Sequence, residues 1–182
     1  MDHSQLIIAC RNNIRSAQQE LYQQFAPKLM TVCLRYSHDE EAARDLLHDG
    51  FIQVFTQIDS YSGKGSFEGW MKRIIVNMAM QNYRKEKKKE LFLENYKHEQ
   101  IEEGEIDDTF DIEGVSREDV LKMIQELPTG YQTVFNLYIF EDMSYKEIAQ
   151  QLGISEVSSR SQFSRAKAML QKKVAEIREK KI

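Results

Sequence analysis

The chain has 182 residues, enough for one domain or two small ones, and its 41% hydrophobic content supports compact cores without any apolar run long enough to cross a membrane. Cys10 and Cys33 are too few for a disulfide framework or a zinc cluster, and residues 1 to 20 lack a cationic segment followed by an apolar one, so a soluble, cytoplasmic protein is expected. The formal charge of −4 hides a segregation of sign, with one basic block at Lys72, Arg73, Arg84, Lys85, Lys87, Lys88 and Lys89, a second at residues 160 to 181, and acid between them.

Before the acidic stretch every segment reads as helix. Leu6 to Arg11 is short, Ile14 to Phe25 follows, and Pro27 is placed to open a third helix striped by Leu29, Val32, Cys33 and Tyr36. Asp39, Glu40 and Glu41 put negative charge at the start of the next, which suits the helix dipole and continues through Leu46, Leu47, Phe51, Val54, Phe55 and Ile58. Tyr61 to Ser66 is a glycine-containing loop. Helix resumes at Phe67 and runs through Trp70, Ile74, Ile75, Met78 and Tyr83 into the first basic block.

Residues 90 to 115 carry Glu94, Glu99, Glu102, Glu103, Glu105, Asp107, Asp108, Asp111 and Glu113 with weak apolar periodicity, and so read as a flexible tether between two domains. Its apolar residues, among them Phe92, Tyr96, Phe110 and Ile112, would let it order on a partner. After it, Ser116 to Leu127 is a helix stopped by Pro128, and Tyr131 to Phe140 is another. No strand pattern competes, so the fold class is all-α.

Met143 to Leu170 has the pattern of a DNA-reading helix-turn-helix. Ser144-Tyr145-Lys146-Glu147 matches a capping box, Ile148, Ala149 and Leu152 form an apolar stripe, and Gly153 sits where a left-handed residue ends a helix. Ile154 is placed to plug the turn, Ser155 to cap the second helix, and Val157, Phe163, Ala166 and Leu170 to supply its buried stripe. Its other face carries Arg160, Ser161, Gln162, Ser164, Arg165 and Lys167, residue types that reach base edges and phosphates in a major groove. An ordinary helical bundle with a solvated basic face has the same pattern, so the pattern needs its context.

Five blocks in order supply that context: Leu21-Tyr22 to Tyr36; Arg44 to Phe55; Phe67, Trp70, Met71, Arg73, Ile74 and Asn77; Leu127-Pro128; and Ser144 to Ala166. With them the chain resembles the small two-domain sigma factors of bacterial RNA polymerase, the extracytoplasmic-function type of the sigma-70 family, over nearly its whole length. The resemblance implies a region-2-like domain over residues 1–89 that binds core polymerase and melts the minus-ten element. It implies a linker over 90–115 and a region-4-like domain over 116–182 that reads the minus-thirty-five element. Mapped on these positions, Asp45, His48, Asp49 and Gln53 would meet the clamp helices of the largest polymerase subunit. Tyr61, Ser62, Lys64, Phe67, Trp70, Arg73, Asn77 and Arg84 would handle the minus-ten strand. The implied partners are core polymerase, including the flap of its second subunit, promoter DNA and an anti-sigma factor, with no cofactor, no metal and no membrane insertion. Two positions depart from the pattern: His48 stands where the family usually has glutamine, and Ser159 where it has valine. The Ser159 hydroxyl is expected to bond to a carbonyl one turn earlier.

Competing readings are weaker. Asp45, His48 and Asp49 share a face at metal-ligand spacing, but no further histidine or cysteine completes a site. Cys33 lies on an apolar stripe as a small core residue does; Trp70 suits either a core or base stacking; Asn77 suits either strand opening or a bridge between helices. A stand-alone regulator with a helical sensor domain would share the helix-turn-helix but has no need of the Phe67 to Asn77 block. An enzyme would need a nucleophile, a metal site or a phosphate loop, and none of these is legible.

Overall fold

Eight α-helices and one 3₁₀ turn make up the regular structure of the described residues, 3–93 and 112–179, in the computed structural model. Most of the acidic stretch, residues 94–111, lies outside them, and with it the expected tether. The chain divides into two compact units, Met1–Ala79 and Met80–Ile182, and the division falls inside one helix. That helix, α4, has no glycine or proline after Gly69 and continues through Leu93, past the expected start of the linker.

In the first unit, α1 (His3–Arg11) and α3 (Glu40–Gln57) both pack on α2 (Arg15–Arg35), and the 3₁₀ turn Ile58–Ser60 leads by way of the loop to α4 (Phe67–Leu93). The Asp39 side chain accepts from the Ala42 amide at 2.7 Å and so caps α3, with Glu40 and Glu41 in its first turn as the charge pattern predicts. The expectation for Pro27 fails: the proline opens no helix and lies inside α2, which is uninterrupted. Ala17, Leu21, Phe25, Leu29, Val32 and Cys33 are buried along one side of α2, spanning the proline, while Pro27 itself is exposed. Its missing amide therefore leaves a carbonyl on the water side, and the burial of one continuous stripe outweighs the local penalty.

Gly50, mid-helix in α3, lets α4 come close, since a Cβ there would stand 3.0 Å from Ile75 Cγ1. Burial pushes the Cys33 thiol up to about 12 and the Cys10 thiol up as well, so both are packed hydrophobes with no standing as nucleophiles.

The second unit contains α5 (Arg117–Gln125), α6 (Thr129–Phe140), α7 (Tyr145–Leu152) and α8 (Glu156–Glu179), with α8 packed along α6 and α7. Ser116 caps α5, accepting from the Asp119 amide at 3.0 Å. Pro128 does stop α5, yet helix resumes at once, two residues before Tyr131, because a proline serves well just ahead of a helix. The capping box of α7 forms: the Glu147 amide donates to Ser144 Oγ at 3.3 Å, and the Ser144 amide donates to Glu147 Oε2 at 2.8 Å. The Ser144 hydroxyl and amide together hold the Glu147 carboxyl below the usual carboxylate range. Gly153 ends α7 at φ 68° with its amide donating to the Ala149 carbonyl. The Ser158 amide then donates to Ser155 Oγ at 3.0 Å, which caps α8. Farther on, Lys173 pairs with Glu126, and Arg178 donates twice to the Glu113 carbonyl, at 3.2 and 2.9 Å, tying the end of α8 to the approach to α5.

Two expectations for α8 are corrected. Val157 is 68% exposed and takes no part in the core; the buried row is Ser159, Phe163, Ala166, Leu170 and Val174, and Val157 lies two residues, more than half a turn, away from it. Ser159 is fully buried, but its hydroxyl makes no bond to the preceding turn: the Ser155 carbonyl accepts Ser159's own amide at 3.0 Å, and Oγ has no partner among the described residues. A buried orphan hydroxyl costs about 1–3 kcal/mol. Replacing it with Ser159→Ala removes the orphan and favours the helix, so thermal unfolding of the full chain should show a gain of about 1 kcal/mol. A loss of stability would mean the hydroxyl is bonded after all.

Candidate nucleic-acid and polymerase interfaces

The sequence positions assigned to the minus-ten strand lie in the loop at 61–66 and on α4. The Tyr61 hydroxyl donates to the Gly65 carbonyl at 2.7 Å and closes the loop, while Gly63 and Gly65 take φ of 77° and 78°, which glycine adopts without strain. Ser66 caps α4, accepting from the Gly69 amide at 2.8 Å. Phe67 anchors the junction: it stacks on Trp70 at 5.4 Å, meets Tyr61 edge-on at 5.0 Å and touches the Phe25 ring at 5.9 Å. Trp70 is half-buried in this cluster, so it is in part a core residue.

Ser62 and Lys64 are exposed on the loop. On α4 the inward positions are Met71, Ile74 and Ile75, and the opposite stripe holds Trp70, Arg73 and Asn77, with Arg84 seven residues farther along the same helix. Arg73, Asn77 and Arg84 are exposed.

Sequence reasoning missed Arg11. Its guanidinium donates to the Tyr61 carbonyl at 2.6 Å and the Ile58 carbonyl at 3.4 Å, and stands 3.9 Å from the Asp59 carboxylate. The end of α1 thus clamps the turn from which the loop departs, a contact spanning 50 residues of chain with no local signal. A cleft of about 470 Å³ also opens beside the loop, lined by Gln24, Phe25, Lys28, Ser66, Phe67 and Glu68, with Lys28 and Glu68 paired at 2.8 Å. Of the assigned minus-ten residues only Phe67 lines it.

On α3, Asp45, His48 and Asp49 are exposed and recur on the face away from Leu46, Leu47, Gly50, Phe51 and Val54. Gln53 is half-buried on the same side and accepts from the Gln57 amide nitrogen at 2.9 Å. Ile52, 49% exposed, adds an apolar surface between these polar groups. Among the described residues no three His, Cys, Asp or Glu side chains gather as a metal site.

The six positions assigned to the minus-thirty-five element separate on α8. Arg160 is exposed, lies 5.1 Å above the Tyr145 ring and pairs with Glu156 at 3.5 Å. An exposed pair of this kind contributes about 0–1 kcal/mol and a stacked arginine about 0.5–1 kcal/mol. Those contacts orient the guanidinium, yet a bidentate bond to guanine, at about 1–3 kcal/mol, can replace the ion pair. Ser161 and Ser164 share this side and are half-buried. Arg165 leans toward α6, its Nη1 donating to the Tyr131 hydroxyl at 3.4 Å. Gln162 turns inward, its Nε2 donating to Ser158 Oγ at 3.2 Å and its Oε1 buried where a Cβ on Gly130 would meet it at 2.9 Å. Lys167, at 6% exposure, belongs to the inward side. Neither is placed on the exposed face that sequence spacing assigned to them.

An aromatic cluster sets this geometry. Tyr145 stacks on Tyr138 at 4.7 Å, and Phe163 lies against Tyr138 at 4.5 Å and stacks on Phe135 at 6.0 Å, joining α6, α7 and α8.

Residues 21–89 match the family described as Sigma-70 region 2, and residues 117–170 match Sigma-70, region 4, more than half of the chain between them. The chain is 28% identical over 167 residues to the RNA polymerase sigma factor YlaC of Bacillus subtilis, covering 91% of this chain and 96% of that one. It is 28% identical over 153 residues to the ECF RNA polymerase sigma factor SigE of Mycolicibacterium smegmatis, covering 83% of this chain and 59% of that longer one. Among solved structures, the sigma factor RpoE of Bartonella quintana, crystallised in complex with the anti-sigma factor NepR, superposes with a TM-score of 0.50 at 18% identity, covering 86% and 96% of the two chains, a likeness of fold. The chain belongs to the sigma-70 family of RNA polymerase sigma factors, as a member of its extracytoplasmic-function type.

Proposed function

We propose that this sigma factor binds core RNA polymerase through the Asp45, His48, Asp49 and Gln53 face of α3, opens the minus-ten element with the loop and outer stripe of α4, and reads the minus-thirty-five element with α8. In this reading residues 1–89 form the core-binding and melting domain, residues 90–115 the tether and residues 116–182 the upstream reader. The protein acts in the cytoplasm as a specificity subunit with no chemistry or cofactor of its own. The solved relative is in complex with an anti-sigma factor, and a partner of that kind is proposed to control the availability of this chain.

The observation that carries the reading is that α4 and α8 each bury one side and turn the opposite side, rich in arginine and polar groups, outward. A stand-alone regulator would use α8 alone and leave the α4 stripe without a purpose. For strand opening, Arg73 and Arg84 supply phosphate contacts, the Asn77 amide can bond the edge of an extruded base, and the glycine-spaced loop can close over it.

Charge reversal at exposed Asp49 removes an interfacial charge without disturbing the core. Asp49→Lys is expected to weaken core binding by about 2 kcal/mol or more, roughly thirtyfold in Kd, where the pair is desolvated. Titration of labelled full chain with core polymerase measures this, and full affinity in both Asp45→Lys and Asp49→Lys would remove the assigned face. For the melting step, Asn77→Ala holoenzyme should bind duplex promoter normally but open it about fivefold or more slowly, the loss of one hydrogen bond in the open state. A pre-melted template should restore most of the activity. Normal opening by Asn77→Ala would assign the flipped base to other residues.

A further inference from the structure

Val157 is the most exposed of the large hydrophobic side chains among the described residues, at 68%. A single exposed hydrophobe is ordinary on a protein surface. This one stands in the first turn of α8, just after the Ser155 cap, on the helix whose N-terminal residues enter the major groove in a helix-turn-helix. Val157, Arg160, Ser161 and Ser164 fall at i, i+3, i+4 and i+7, so the valine shares the side of α8 that carries the exposed arginine. Nothing in the fold needs it there: the inward row begins at Ser159, and valine is a weaker helix former than Arg, Lys, Gln or Glu.

Its chemistry matches one feature of the major groove. Thymine alone among the unmodified bases displays a methyl group there, and proteins read it by apolar contact. The β-branched valine carries two methyls whose direction is fixed by a stiff χ1, so the contact surface is formed before DNA arrives and costs little entropy. We infer that Val157 is a specificity-determining residue that reads the 5-methyl group of a thymine in the minus-thirty-five element, beside the base read by Arg160. This rests on the proposed docking of α8 in the upstream element. Three residues of helix span about 4.5 Å, little more than one base step of about 3.4 Å, which puts the thymine within two base pairs of Arg160's target.

The test uses the full chain in holoenzyme with core polymerase. Preferred upstream sequences are selected from a randomised promoter library, and each thymine is then replaced singly by deoxyuridine, which removes only the methyl group. One replacement should lower holoenzyme affinity about fourfold, the equivalent of about 0.8 kcal/mol for a methyl-sized group removed from water. That penalty should vanish in Val157→Ser and persist in part in Val157→Thr, which keeps one methyl. The sensitive thymine should lie within two base pairs of the position whose preference relaxes in Arg160→Ala. If no thymine is sensitive, or the sensitive one stays equally so in Val157→Ser, the inference is overturned. If Arg160→Ala still changes the selected sequence in that case, α8 remains the reader and only the methyl contact falls. If neither variant changes the selection, the docking of α8 itself is wrong and the inference falls with it.

Discussion

A helix offers DNA only the side it does not bury, and the buried row of α8 decides which side that is. Ser159, Phe163, Ala166, Leu170 and Val174 face inward, and a shift of one residue, about 100° of rotation, would carry Arg160 toward the core and Val157 with it. Burying Phe163 or Leu170 stabilises by about 1.5–3 kcal/mol each, whereas the Arg160–Glu156 pair contributes about 0–1 kcal/mol. Packing therefore sets which side of α8 faces outward, and the surface charges follow it. Tyr145 joins the two, since its ring stacks on Tyr138 of α6, meets Phe163 of α8 edge-on and lies beneath the Arg160 guanidinium.

The same division of labour operates on α4. Met71 and Ile75 are fully buried, which turns Trp70, Arg73 and Asn77 outward, and Gly50 of α3 permits the close approach that keeps Ile75 in place. The loop before α4 is held at both ends and closed by the Tyr61–Gly65 bond. Arg11 grips its start, Phe67 and Ser66 fix its finish, and Gly63 and Gly65 sit in open space.

Much of this was legible in the sequence because its signals are local. The capping box at Ser144 and Glu147, the left-handed Gly153, the acidic start of α3 and the apolar residues of α3 and α4 depend on neighbours within a turn or two, and the structure realises each. Pro27 misled because a proline is a local signal, and here a stripe running from Ala17 to Cys33 overrides it. Val157 was assigned inward by its residue type rather than its register, and counting from Phe163 would have turned it outward. Arg11, the Tyr131 partner of Arg165 and the inward turn of Gln162 depend on contacts between distant segments, which no spacing rule reveals. Ser159 shows the limit of residue-type reasoning: hydroxyls such as those of Thr31 and Thr56 bond back to the carbonyl four residues earlier, whereas the buried Ser159 hydroxyl does not.

The claim that this chain supplies promoter specificity to polymerase is tested most directly by reconstituted transcription. Core RNA polymerase would be assayed on a library of double-stranded templates with randomised upstream and start-proximal segments, with and without the full chain. The account predicts initiation at defined start sites only when the chain is present, on templates that share both an upstream and a minus-ten sequence. Initiation that is the same with and without the chain, or a chain that binds duplex DNA specifically yet never directs core polymerase to a start site, would contradict it.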